Sequence, residues 1–273
     1  MEFVDAYGVL VGDEGKGIRT IIQMVQLTRQ DCAIASAGLM RSGLAHALHH
    51  ARFRSVFQKH LADQPLMQAV LSDMGLHVEA SIALVMRLCR SFDQAPNDQS
   101  GAAYMRLLTP AIKYWVCKSA PGFLYEAMEC LGGNGYVEEG ILARHYRESP
   151  VNAIWEGSGN VMCLDVLRAL SRETDAASAV LQGLAQESTD LPGAAEAVTF
   201  IGETFSRPDS ERVARVAVEK LALLAATAAL NSVSPRHAEL FARTRLALNH
   251  SSMYGAIDIA ACDIGGLLER ALP

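Results

Sequence analysis

Apolar residues recur every three or four positions over most of the chain, which is the spacing of one face of an α-helix. The pattern predicts three long helices, at about 17–54, 65–92 and 102–131. A shorter helix is predicted after Asn160, whose side chain can cap its first turn. Three long antiparallel helices and one shorter helix predict a four-helix bundle over residues 18–171, and the predicted fold class is all-α.

The pattern differs at the two ends of the chain. Apolar and aromatic residues at 3–10 suggest a β-strand, and a glycine-rich turn follows at 12–17. A strand needs hydrogen-bonding partners along its edges, so residues 1–17 are interpreted as the remnant of a β-domain and linker. Further helices are predicted at about 175–187, 193–205, 210–231 and 235–272. They indicate an additional, smaller helical domain over residues 172–273.

Residues 132–159 interrupt the helical pattern with six glycines and one proline. A long loop between apolar helices is commonly functional. This one carries Arg144, Arg147, Trp155 and Glu156. Charged and large aromatic side chains are more than a simple connecting loop needs. We therefore interpret the stretch as an irregular functional segment, although Glu156 could also be a structural carboxylate that pairs with one of the two arginines.

The composition is that of an ordinary globular protein, with half of the residues hydrophobic and a fifth charged. The net charge of −6 argues against the whole chain being a nucleic-acid binder. Six cysteines are scattered without a C-x-x-C pair, which favours buried free thiols in a reducing cytoplasm. The N-terminus has no secretory pattern, and the longest apolar run, Leu221 to Leu230, is too short to cross a bilayer. We therefore expect a cytoplasmic protein without a membrane partner.

A histidine cluster is a weaker candidate for a site. His46, His49 and His50 have the helical spacing of metal ligands. Because no acidic or cysteine ligand flanks them, no metal site is predicted.

Several short motifs follow one another along residues 8–171. They are Gly12-Asp13-Glu14-Gly15-Lys16-Gly17, Arg29, Arg54-x-x-Phe57, Glu129-Cys130-Leu131-Gly132-Gly133-Asn134-Gly135-Tyr136, Tyr146-Arg147 and Ile154-Trp155-Glu156-Gly157-Ser158-Gly159-Asn160. Their order and spacing resemble the C-terminal domain of the acyl-CoA dehydrogenases. Residues 27–33 and 161–168 are similar to one branch of that family, the bacterial alkylation-response dehydrogenase-like flavoproteins.

This resemblance implies an FAD-dependent oxidoreductase that acts on an acyl-CoA or a similar thioester. Such an enzyme removes an α-proton while the β-hydride leaves to flavin N5, so the protein supplies a carboxylate base and a donor for the thioester oxygen. Glu156 stands in the family's base motif, and its backbone N–H would polarise the thioester carbonyl. Other members place the base at the position of Thr28, whose hydroxyl cannot serve. Arg29 resembles the helix arginine beneath the active site.

The resemblance also implies cofactor contacts. Arg54 and Phe57 resemble the pair that reaches the FAD of a neighbouring subunit, which implies a homo-oligomer, a dimer or tetramer assembled through the bundle. The other implied contacts are Gly132 and Gly133 on the adenine side of FAD, and Trp155, Ser158 and Asn160 beside the flavin. Two positions depart from the family pattern, since Gln58 replaces a glycine and Glu129 replaces a glutamine.

The family's N-terminal helical domain and β-domain have no counterpart in these 273 residues, so we expect the isolated chain to hold about half of a flavin site and to be inactive. The alternative is an alkylation-response flavoprotein that associates with DNA and keeps only vestigial dehydrogenase activity. Residues 172–273 contain nine basic and thirteen acidic residues, and because phosphate binding needs clustered positive charge, this acidic tail disfavours DNA. A third possibility is a non-catalytic helical assembly module.

Overall fold

The computed structural model describes residues 2–247, apart from the side chain of Gln23. These residues form ten α-helices, which confirms the all-α prediction. The helices are α1 (Gly17–Phe53), α2 (Pro65–Gln94), α3 (Gln99–Leu131), α4 (Gly133–Tyr136), α5 (Ile141–Ile154), α6 (Gly159–Arg172), α7 (Thr174–Glu187), α8 (Ala194–Ser206), α9 (Ser210–Asn231) and α10 (Pro235–Phe241). A short antiparallel hairpin pairs β1 (Ser55–Val56) with β2 (Lys59–His60). A 3₁₀ turn covers Leu61–Asp63, and a π-helical turn covers Ala242–Leu246.

α3 is the central helix of the bundle and packs against α1, α2, α5 and α6. The Asp98 carboxylate caps its first turn by accepting the backbone N–H groups of Ser100 and Gly101, at 3.1 and 2.9 Å. Pro110 and Pro121 lie inside α3, and the helix continues through both of them. The helices predicted at 17–54, 65–92 and 102–131 are therefore confirmed.

α9 joins the helices after residue 172 to the bundle. Its apolar run from Leu221 to Leu230 is buried throughout, and the helix packs against α2, α3, α6 and α8. The side chains of α9 and those of the bundle belong to one continuous buried cluster. The helices predicted after residue 171 thus enlarge the core of the bundle, while the domain boundary at that residue stays a prediction.

Residues 132–159 are largely helical, so the prediction of an irregular segment is wrong. α5 occupies Ile141–Ile154 without a glycine and continues through Pro150. Two of the glycines stand at helix ends instead: Gly132 ends α3 with a φ of 59°, and Gly140 precedes α5. The number of glycines in the stretch indicated a loop, whereas their positions delimit two helices.

Two predictions at the ends of elements are also corrected. α6 begins at Gly159, so its N-cap is Ser158 and not Asn160. Residues 2–11 form no strand in the described structure, and their apolar side chains are exposed, because no neighbouring strand offers hydrogen-bonding partners. The helix predicted over 235–272 is observed as α10 and the π-helical turn, and its remainder lies outside the described residues.

α2 is long and apolar enough to cross a membrane by length and composition alone. Many of its apolar residues, Leu84 and Leu88 among them, are buried where α2 packs against α1, α3 and α9. A helix that is apolar and buried within a protein core passes the same test, so this property is weak evidence for a membrane span.

His77 of α2 is half-buried at the contact between α2 and α3. Its Nε2 atom lies 3.1 Å from the Ser119 hydroxyl oxygen, and its ring centroid lies 4.9 Å from that of Trp115. Burial lowers the pKa of His77 to about 4, with a smaller lowering by Arg245 and an opposing effect of Asp73. The imidazole is therefore neutral in the folded protein at neutral pH.

We expect His77 to make the fold sensitive to acid. The unfolded histidine takes up a proton near pH 6.5 and the folded one only near pH 4, so its contribution to stability is complete above pH 6.5 and falls as the pH drops through this window. Between pH 7 and pH 5 the loss should be about 2 kcal/mol in free energy of unfolding, measured by urea denaturation at both pH values.

His77→Gln is the matched control, because the amide can still hydrogen-bond Ser119 but does not titrate. This variant should lose less stability between pH 7 and pH 5 than the wild type, by about 2 kcal/mol. Equal losses in the two proteins would contradict the role given to His77.

Candidate active site

The segment from Trp155 to Ser158, here called the Glu156 loop, connects α5 to α6 in a sharp turn. Glu156 and Gly157 both have positive φ values, 57° and 103°. Glycine is favoured at 157 because L side chains rarely adopt this φ, and a Cβ there would also lie 3.0 Å from Val161 Cγ1. Glu156 holds a left-handed conformation that costs a non-glycine residue about 1–2 kcal/mol. Contacts around the loop must therefore stabilise it.

Two buried cations bind the carbonyl oxygens of the Glu156 loop. Lys113 of α3 donates from Nζ to the backbone oxygens of Trp155 and Gly157, at 2.8 and 2.7 Å. Arg29 of α1 donates from Nε to the backbone oxygen of Glu156 at 3.0 Å. Lys113 is 1% exposed and Arg29 is 9% exposed. Three consecutive carbonyl groups of the loop are thus bound to cations in the core.

Arg29 also belongs to an ion network that joins α1, α3 and α6. Its Nη1 atom donates to Asp165 Oδ2 at 2.6 Å, and Arg106 donates to Asp165 Oδ1 at 3.2 Å. The Asp165 side chain is only 8% exposed. Glu173 adds a contact of 3.3 Å to Arg106 Nε. Because an unpaired buried charge is costly, this network holds the three helices in register.

Burial shifts the pKa values of the groups around Lys113. It lowers the pKa of Lys113, an effect that the thiols of Cys117 and Cys32 oppose. Burial also raises the pKa of the Cys32 thiol and raises that of Cys117 to about 12. Both thiols are therefore protonated at neutral pH. The five cysteines that the structure describes are free, and four of them are buried.

Several residues singled out by the family motifs meet at this loop. Glu156 is half-buried, Trp155 is 55% exposed, and Ser158 and Asn160 are exposed. Asn160 Oδ1 accepts a hydrogen bond from Arg215 of α9 at 3.0 Å. The structure brings together Arg29, Trp155, Glu156, Ser158 and Asn160. Their roles in catalysis and cofactor binding stay predictions.

Glu156 has two functional groups that are open to a ligand. Within residues 2–247, no hydrogen bond or ion pair engages its carboxylate or its backbone N–H. The alternative prediction, a structural pair with Arg144 or Arg147, is not observed. Arg147 instead forms a bidentate pair with Glu138 at the surface, with one N–O distance of 2.8 Å.

A second group of predicted residues lines a cleft of about 570 Å³ at the C-terminal end of α1, here called the Arg54 cleft. Arg54, Gly132 and Gly133 line it together, and no atom lies within 4 Å of the position that a Cβ would take at either glycine. Glu129 lines the same cleft and accepts a hydrogen bond from the Tyr125 hydroxyl at 3.2 Å. The predicted adenine-side residues therefore lie together, beside a carboxylate.

Phe57 and Gln58 form the two-residue turn of the β1–β2 hairpin. Their φ values are 52° and 67°, and a two-residue hairpin turn with positive φ at both positions is one that glycine fills with least strain. Gln58, which replaces the family's glycine, therefore keeps a backbone conformation suited to glycine. Phe57 is 91% exposed at the tip of the hairpin.

The motifs did not single out Lys113, Arg106 or Asp165. For Lys113 a signal exists, because a lone charged residue inside the apolar run Ala111–Val116 is unusual in a helix core. Asp165 has no comparable signal, since its partners Arg106 and Arg29 lie 59 and 136 residues away in sequence.

No metal-binding group is present in the part of the chain that the structure describes: no three histidine, cysteine, aspartate or glutamate side chains lie close enough to hold an ion. The His49 ring packs against the Phe53 ring, with centroids 4.9 Å apart. His50 lines the Arg54 cleft.

We expect Asp165→Ala to lower the free energy of unfolding by about 3–5 kcal/mol, because it leaves Arg29 and Arg106 without their shared carboxylate. Urea denaturation measures the change. Glu138→Ala is the control, since it breaks an exposed pair that water already screens and should alter stability little. A loss as small for Asp165→Ala as for the control would show that the buried network does not stabilise the fold.

The sequence profile of a family described as "Acyl-CoA dehydrogenase, C-terminal domain" matches residues 15–171. AidB of Escherichia coli (strain K12) is 52% identical over 173 residues, or 63% of this chain. Acyl-CoA dehydrogenase family member 11 of Caenorhabditis elegans is 35% identical over 164 residues, or 59% of this chain. These matches cover 32% and 27% of the two relatives, so the chain spans about a third of the length of the curated relatives it matches.

A solved structure extends the likeness beyond residue 171. Caenorhabditis elegans ACDH-11 in complex with C11-CoA superposes with a TM-score of 0.79 at 25% identity, over 88% of this chain and 46% of that chain. The helices that follow the bundle are therefore part of the shared fold. Because the profile matches more than half of the chain, this chain belongs to the acyl-CoA dehydrogenase family.

Proposed function

We propose that this chain carries the catalytic base and part of the FAD site of an acyl-CoA dehydrogenase-like oxidoreductase. The observation that carries the proposal is the Glu156 loop. Its carbonyl oxygens bind Lys113 and Arg29, while the carboxylate and backbone N–H of Glu156 have no partner within the described residues. A base beside an N–H donor is what oxidation between the α and β carbons of a thioester requires.

In this proposal the Glu156 carboxylate removes the α-proton of an acyl-CoA or similar thioester. Its backbone N–H donates to the thioester oxygen, where negative charge develops as the proton leaves. Bound FAD would supply the acceptor for the β-hydride. Trp155, Ser158 and Asn160 would contact the flavin from the exposed side of the loop. Arg29 binds the backbone of Glu156, so its part is to hold the base in place.

The Arg54 cleft supports the proposal that FAD from a second subunit binds there with its phosphates and adenine. Arg54 supplies positive charge, and the open backbone at Gly132 and Gly133 allows close approach of a ligand. Phe57 projects from the neighbouring hairpin and can contact the same cofactor. Glu129 opposes an anionic ligand in this cleft. This arrangement implies a homo-oligomer, a dimer or tetramer, as the functional unit.

We expect Glu156→Gln to slow flavin reduction by acyl-CoA on the order of 10²–10⁴-fold in FAD-loaded protein that joins this chain to the family's N-terminal helical domain and β-domain. The amide keeps the size of the side chain but cannot take up the α-proton. Anaerobic stopped-flow bleaching of the flavin measures the rate. Glu138→Gln makes the same exchange at an exposed carboxylate outside the loop and should keep the wild-type rate. If Glu156→Gln also reduces its flavin at that rate, Glu156 is not the base.

Binding to duplex DNA is the rival function, and the contacts of the basic residues in α9 and just before it weigh against it. Arg207, Arg215 and Lys220 each donate a hydrogen bond of 3.0 Å within the chain. Affinity for DNA comes largely from Lys and Arg side chains that neutralise phosphates. Cations already bound to their own protein would first have to give up those contacts.

We expect weak, strongly salt-dependent binding to duplex DNA at low salt and no measurable binding near physiological salt. Fluorescence anisotropy with a labelled duplex at both salt concentrations measures it. The charge-reversal variant Arg212→Glu/Arg215→Glu tests whether any binding comes from this region. Tight binding that survives moderate salt and is lost in that variant would favour the DNA function.

A further inference from the structure

We infer that Lys113 is a positioning residue for the reaction proposed above, because it holds the backbone that presents Glu156. The inference rests on the proposed function only in taking Glu156 as the base. The clamp itself, defined as Lys113 Nζ and the backbone oxygens of Trp155 and Gly157, is given directly by the contacts.

Lys113 of α3 needs hydrogen-bond acceptors within the protein because its ammonium group is buried among apolar side chains. Its neighbours Ile112 and Val116 have no exposed surface, and Lys113 itself is 1% exposed. Moving an ammonium group out of water is costly, and an apolar side chain of similar volume would fill this place without that cost. Within the described residues, the hydrogen bonds of its ammonium go to the two loop carbonyls. Lys113 therefore serves the loop rather than the packing of the core.

The clamp acts on both sides of Glu156. Because the oxygens of Trp155 and Gly157 bind one nitrogen atom, the backbone must bend at the residue between them to bring these oxygens together. Glu156 has a φ of 57°, and its own carbonyl binds Arg29. Charge-assisted hydrogen bonds are about twice as strong as neutral ones, so three of them can hold a residue in this sparsely populated conformation.

Lys113 acts through the loop and not on the substrate. Two of its three ammonium protons are directed to backbone oxygens, and its burial keeps it from solvent. It differs in this respect from Glu156, which is half-buried and whose carboxylate makes no hydrogen bond or ion pair within residues 2–247. Loss of the clamp should therefore alter the order of the loop while the bundle stays folded.

The test compares Lys113→Met with Lys118→Met in the 273-residue chain. Lys118 lies on the same helix and makes no hydrogen bond to the loop within the described residues. Trp155 is a spectroscopic reporter of the loop, because the chain has two tryptophans and Trp115 is 2% exposed in the core. In Lys113→Met the fast component of time-resolved fluorescence anisotropy should grow about twofold.

Hydrogen exchange distinguishes loosening of the Glu156 loop in Lys113→Met from loosening of the whole helical bundle. The amides of Trp155 and Met162 are hydrogen-bonded on either side of the turn, to Val151 and Ser158. In Lys113→Met they should exchange about tenfold faster, while amides of α2 change less than about twofold. Lys118→Met should match the wild type in both measurements.

If Lys113→Met does not fold, Lys113→Gln tests whether Lys113 orders the Glu156 loop. Its amide can donate to one carbonyl but not with the charge of an ammonium, so the loop should be partly loosened. A loop as ordered as that of the wild type, in whichever of the two variants folds, would overturn the inference. Neither measurement uses flavin or substrate, so that result would leave the role of Glu156 as base to be judged by the flavin-reduction experiment.

Discussion

Positive charge lies inside an otherwise apolar helical bundle, and the rest of the structure depends on how that charge is satisfied. Arg29 and the half-buried Arg106 share Asp165, and Lys113 binds the carbonyls of the Glu156 loop. The partners come from α1, α3, α6 and the loop, so these segments cannot shift independently. A displacement would leave a buried cation without its partner, which costs more than losing an apolar contact.

The shape of the candidate site follows from the same constraint. With the carbonyl oxygens of residues 155–157 bound to cations in the core, the turn adopts a left-handed conformation at Glu156. Glu156, the proposed base, is thereby held by side chains that need not touch a ligand. α9 adds to this support, because Arg215 binds Asn160 just after the loop. Helices beyond the matched region 15–171 thus contribute both to the core and to the site.

Predictions from sequence are correct where the pattern is local and repeats along the chain, and they fail where a residue's role depends on its position in the fold. α1, α2 and α3 were predictable because apolar periodicity is local and repeats over many turns. α5 is not predicted from the sequence because glycines on both sides of it favour a loop, whereas Gly132 and Gly140 delimit helices. The motif residues Arg54, Gly132 and Gly133 line one cleft at the end of α1, while their contacts with a cofactor stay predictions.

By itself, the sequence determined the fold class, the long helices and the family, because periodicity and ordered motifs can be read along one chain. Only the tertiary structure decided that Lys113 binds the Glu156 loop and that Asp165 pairs with Arg29. The carbonyls that Lys113 binds lie 42 and 44 residues away, and the partners of Arg29 lie 127 and 136 residues away. A charged residue in an apolar helix can face solvent, a carboxylate or a backbone carbonyl. Which of these it meets depends on the segment packed against it, and sequence spacing does not carry that information.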